Sequence, residues 1–142
     1  MATHPGALVA GPQWYRSRIR KLGPLLALIL PTIVGGLGLA TLRWSEASWS
    51  GTVGLLGGVL GAPGLLLAGV PFGDHGLYPA AIAGSIVAWL LIGFLASRRA
   101  TRNPMATWPD FWRHCIPLTI GVWVGAGIGL LAAALVIGDG VL

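Results

Sequence analysis

Asp74 and His75, within Pro71-Phe72-Gly73-Asp74-His75-Gly76-Leu77-Tyr78-Pro79, are the one adjacent acid and imidazole in this sequence. Together a carboxylate and an imidazole can bind a metal ion or move a proton near neutral pH. Neighbours in sequence seldom turn both side chains to one atom, and no third ligand stands near, so the pair reads as a turn carrying an interfacial histidine. Cys115 is the single cysteine, which excludes an internal disulfide and any zinc or iron–sulfur site built from thiols. The four acids, Glu46, Asp74, Asp110 and Asp139, fall in loops or tails, which argues against a carrier with its own midplane carboxylate. His75 and His114 are expected on opposite membrane faces and so not as axial ligands of one haem. Walker, GxSxG, HExxH and CxxCH patterns are absent. The expectation is a non-catalytic chain with no cofactor and no metal.

The elements that hold these residues follow from composition. With 55% hydrophobic residues, 9% charged residues and a mean hydropathy of +0.79, the chain has too few ionisable groups to cover a soluble surface. A hydrocarbon core about 30 Å thick needs roughly 17 to 25 helical residues. Three apolar blocks meet that length, at Leu22–Leu42, Ala80–Ala96 and Ile116–Ile137, and none contains an ionisable side chain. Lipid leaves backbone amides no partner outside the chain, and no alternating strand pattern is present, so the blocks read as helices. The fold class expected is an all-α membrane protein: one integral membrane domain over residues 1–142, with three transmembrane helices and a further broken segment.

That further segment is Gly51–Val70, twenty residues with seven glycines and a central Pro63. Its role in the topology follows from charge. Arg16, Arg18, Arg20 and Lys21 precede the first span, Arg98, Arg99, Arg102 and Arg113 lie between the last two, and Arg43 stands apart. Positive loops stay cytoplasmic. Three spans place eight basic residues inside and one outside, whereas four spans place four inside and five outside. The first count favours a re-entrant or outer-face segment, with a cytoplasmic basic tail over 1–21 and a cytoplasmic loop over 97–115. A fourth span is the alternative. Pro63 within Gly61-Ala62-Pro63-Gly64 divides the segment into flanks too short to span but long enough for a hairpin of half-helices. Trp44 and Trp49, against Trp14, Trp108 and Trp112, make two interfacial belts.

Pro31 removes the bond to the carbonyl of Ala27 and predicts a kink in the first span. The amino-terminal basic region, apolar core and Gly38-Leu39-Ala40 resemble a secretory signal, but the long core favours a retained anchor. Thr107 and Asp110, with Pro109 in the first turn, predict a capped helix start and an interfacial foot that Pro117 bends into the last span.

Packing is the best specified physics in the chain. Gly121, Gly125, Gly129 and Ala133 recur at four-residue spacing, and Ala80, Gly84 and Ala88 form a similar stripe on the preceding span. Gly54 with Gly58, and Gly57 with Gly61, add two more small-residue surfaces. A bundle this small cannot use every stripe internally. The expected function is therefore a non-catalytic accessory or assembly subunit of a larger complex in a bacterial inner membrane. Its partners would be membrane lipid at the eight basic residues, other membrane subunits at the stripes, and a second copy in a homo-oligomer. Nucleic acid is not expected, because the arginines are juxtamembrane. The alternative is a homo-oligomeric channel or transporter component with Gly51–Val70 as its re-entrant element, and an enzyme using Asp74 and His75 is the least supported class.

Overall fold

The computed structural model describes residues 11–44, 46–70 and 73–139. Residues 1–10 of the basic tail, together with Pro71 and Phe72 of the outward loop, lie outside the described residues, as does the side chain of Asp139.

Among the described residues all regular structure is helical. Helices α1 (Pro12–Leu26) and α2 (Ile29–Trp44) form the first long apolar element, Gln13–Trp44, broken only by a turn at Ala27–Leu28. That break stands one turn before Pro31, where the missing N–H leaves the Ala27 carbonyl without its helical donor. Leu28 tightens there onto the carbonyl of Leu25 at 3.1 Å. The element begins well before Leu22, so the first basic cluster is helical rather than a tail, and Pro24 stands inside α1 as a second proline.

Helix α5 (Tyr78–Ala100) runs antiparallel to α1. Arg20 bonds Thr101 across 81 positions, Gly23 lies against Ser97, and Ala27 and Pro24 lie against Gly93. This register brings Arg16–Lys21 and Arg98–Arg113 to one end of the bundle, here termed the basic end. Helix α6 (Trp108–Asp139) returns toward the other end and runs continuously through Pro117, so foot and span are one element. Its start is fixed by Asp110, whose Oδ2 accepts the Thr107 N–H at 2.8 Å and the Thr107 hydroxyl at 2.9 Å.

Helix α3 (Ser50–Gly61) packs back along α2. Gly54 lies under Leu42, Gly57 against Gly38, and Gly61 against Gly35 and the Pro31 carbonyl, so α3 descends from the far end to mid-bundle. A Cβ at Gly57 would stand 2.6 Å from the Cα of Gly38, an approach only glycine permits. Twelve residues reach about 18 Å, well short of a hydrocarbon core. After the break, α4 (Gly64–Leu67) climbs beside Ala81 and Ser85 of α5, and Gly69 turns the chain at φ +74°. A 3₁₀ turn, His75–Leu77, then leads into α5. One cavity of about 440 Å³ is lined by Leu42, Gly51, Val70, His75 and Tyr78, which places both ends of the segment at the same, far end of the bundle. The segment is a hairpin that enters and leaves on one side, whereas a fourth span would separate Gly51 from His75.

Three elements are long and apolar enough to cross a membrane: Gln13–Trp44, His75–Ala100 and Trp108–Val136. Their most apolar windows are only 17%, 28% and 11% buried within the chain, so the remaining apolar surface requires lipid or other helices around it. The protein is an all-α multi-pass membrane protein. Its densest core sits at the basic end, where Ile19, Ala27, Ala96, Ala100, Phe111 and Cys115 are buried and Trp108 and Trp112 pack against them.

Candidate functional site

The break at Gly61–Gly64 places backbone polar groups at mid-bundle, where water is scarce. Pro63 has no N–H, and the carbonyls that end α3 lose their helical donors. Two indoles supply replacements. Trp89 Nε1 of α5 donates to the Gly61 carbonyl at 2.9 Å, and Trp123 Nε1 of α6 donates to the Leu60 carbonyl at 3.0 Å. On the other side of the break, Gly64 N–H donates to Ser85 Oγ at 2.9 Å, and that hydroxyl donates in turn to the Ala81 carbonyl at 2.8 Å. Three side chains on two spans thus hold the hairpin tip, and the Ala62 N–H keeps an ordinary bond to Gly58 at 2.8 Å. Trp89 is 1% exposed. Neither Trp89 nor Trp123 was singled out above. The available signal was position: both lie mid-span, away from the interfacial belts, where an indole N–H needs an internal acceptor.

Next to this tip opens an apolar groove of about 660 Å³ between α4, α5 and α6. Pro63, Gly64 and Leu66 form one wall, Ala80, Gly84, Ser85 and Ala88 the second, and Gly125 and Ala126 the third. The stripe of α5 and the middle of the stripe of α6 therefore meet at one site. A Cβ added at Gly84, Gly121 or Gly125 would meet nothing within 4 Å, whereas one at Gly129 would touch Leu66 at 3.4 Å. Ala80, Ala88 and Ala133 are exposed, and Leu67 at the groove edge is 94% exposed. The glycines of α3 divide differently. Gly54 and Gly57 are buried against α2, whereas a Cβ at Gly58 would point into open space. Among the described residues the groove is lined by small and aliphatic side chains besides Ser85, so its chemistry is that of helix packing rather than polar recognition.

The eight basic residues share one end but differ in setting. Arg18 lies over the Trp14 ring at 4.3 Å and Arg98 over the Phe94 ring at 4.7 Å. Arg20 Nε donates to Thr101 Oγ1 at 3.0 Å, and the half-buried Arg16 has a buried Nε without a hydrogen-bond partner among the described residues. Lys21, Arg99, Arg102 and Arg113 are exposed. At the far end, Asp74 Oδ1 accepts the Gly76 N–H at 2.9 Å and caps the 3₁₀ turn, while the His75 ring tilts against Tyr78 with centroids 5.0 Å apart. Their side chains therefore go to separate local contacts. His114 is held at the other end by the Asp110 carbonyl, 2.8 Å from Nδ1. Among the described residues no three His, Cys, Asp or Glu side chains converge.

Comparison with protein-family models, with curated proteins and with solved structures finds no significant match among them.

Proposed function

We propose that the chain is a non-catalytic accessory or assembly subunit of a larger complex in a bacterial inner membrane, docked to its partners through the α4–α5–α6 groove. The observation that carries this reading is the open backbone at Gly84 and Gly125, on facing walls of the groove. Lipid supplies no hydrophobic drive between helices, so association gains from close backbone approach. The chain uses that device internally where Gly57 meets Gly38 and Gly61 meets Gly35, and presents it again, unfilled, along the groove.

A pore or carrier built on the re-entrant hairpin would need polar groups of the broken backbone free to meet an ion or substrate. Here the Gly61 and Leu60 carbonyls are occupied by Trp89 and Trp123, and Gly64 N–H by Ser85, which favours a packed structural hairpin. The basic end is assigned to the cytoplasm by the positive-inside rule, with eight of the nine basic residues clustered there. Purification in mild detergent tests the reading. Unrelated subunits in fixed stoichiometry are expected, and a preparation containing only copies of this chain would favour the transport reading instead.

A further inference from the structure

We infer that the basic end carries a binding site for the phosphate of an anionic membrane-lipid headgroup, formed by Arg20, Arg98 and Arg102 around Phe94 and Ser97. These five residues line one cavity of about 520 Å³ at the junction of α1 and α5. The three guanidinium groups come from different places: Arg20 from α1, Arg98 from the last turn of α5, and Arg102 from the loop beyond it.

The site is built rather than incidental. Thr101 is fully buried, and its hydroxyl donates to the Ser97 carbonyl at 2.8 Å while accepting from Arg20 Nε. This contact anchors the Arg20 stem and occupies one of its five N–H donors, leaving the terminal four for a fork-like contact to phosphate oxygens. Arg98 is steadied by the Phe94 face. Among the described residues no carboxylate lines the cavity. Three cations in one cavity repel each other unless an anion sits among them. The carboxyl end of α5 contributes only about half a negative charge in opposition. A second cavity of about 410 Å³, lined by Gln13, Arg16, Ser17, Arg20 and Lys21, shares Arg20 and has no carboxylate among the described residues either. Arg16, whose buried Nε has no hydrogen-bond partner among the described residues, belongs to that second cavity.

The location selects lipid over a solute. Phe94 supplies an apolar wall to the cavity and is 41% exposed, and Leu91 one turn before it and Leu95 next to it in sequence are exposed for acyl chains to cover. A basic pocket between spans at the headgroup level matches an anionic lipid. Inorganic phosphate shares the recognised group, so the experiment separates the two sources.

Native mass spectrometry of the full chain in mild detergent, titrated with phosphatidylglycerol, phosphatidylcholine or inorganic phosphate, reads the site directly. Phosphatidylglycerol should bind in preference to phosphatidylcholine. Arg102→Gln, at an exposed position beyond the helix, should weaken it roughly fivefold, and Arg98→Gln with Arg102→Gln roughly 25-fold. Arg18→Gln with Arg113→Gln removes the same charge outside the cavity and should cost clearly less than the cavity pair, under about fivefold. Equal losses from the two double variants, equal binding of both lipids, or displacement of the lipid by inorganic phosphate at matched concentration would overturn the assignment.

Discussion

Trp89 of α5 donates its indole N–H to the carbonyl of Gly61 at 2.9 Å, joining the centre of a full span to the last residue of the half-helix that enters the membrane. Without such a donor the carbonyl would be stranded next to Pro63, in a setting where an unsatisfied buried acceptor costs about 1–3 kcal/mol. Trp89→Phe should therefore lower stability in detergent by about that amount, with part of the loss arising from the smaller ring. Trp123→Phe, at a half-buried residue, should cost less. Unfolding titrations of the two variants check the order, and a neutral Trp89→Phe would remove the hairpin tip from the account.

Close packing of α3 on α2 gives a second contrast. Gly57→Ala introduces a Cβ 2.6 Å from the Gly38 Cα, and backbone there has no room to retreat, so a loss of roughly 1–3 kcal/mol is expected. Gly36→Ala, one helical position away from the contact face, meets nothing within 4 Å and should be neutral or slightly stabilising. Thermal unfolding in one detergent compares them under identical conditions.

Topology follows from where the hairpin begins and ends. Single cysteines at Ser48 and His75, in a Cys115→Ala background, should label from the same side of the membrane, with a cysteine at Asn103 labelling from the opposite side. All three positions are exposed, whereas Thr101 is fully buried and would be a poor reporter. Labelling of Ser48 and His75 from opposite sides would establish a fourth span.

Asp74→Asn keeps an acceptor for the Gly76 N–H, and His75→Gln removes only the ring contact with Tyr78. Both variants should insert and assemble as the parent does. Loss of an activity of the copurifying complex, with assembly intact, would show that the pair does chemistry.

The three spans and the hairpin were legible in the sequence because composition and charge act over long stretches. Twenty-residue apolar blocks have few structural solutions in lipid, and Pro63 among seven glycines has fewer still. The break before Pro31 and the Thr107–Asp110 helix start were legible for the opposite reason, since one missing N–H or one short-range bond fixes each. Which stripe is filled was not legible. Gly57 and Gly125 look alike in sequence, and only the antiparallel register of α2 and α3 buries one and leaves the other bare. The extension of the first helix to Pro12 was hidden by arginines, which are good helix formers but lower the hydropathy that marks a span. The roles of Trp89, Trp123 and Ser85 depend on contacts 21 to 63 positions apart, beyond any local pattern.

Occupancy of the groove tests the assembly role most directly. A photo-crosslinking residue at Ala88, exposed on the groove wall, can be activated in intact membranes and its adducts resolved by mass spectrometry. Docking through this groove requires a discrete adduct with a different membrane subunit, lost when Gly125→Leu fills the opposite wall and retained with Leu131→Ala on the exposed face of α6. Adducts with lipid alone, or an adduct that survives Gly125→Leu unchanged, would contradict it.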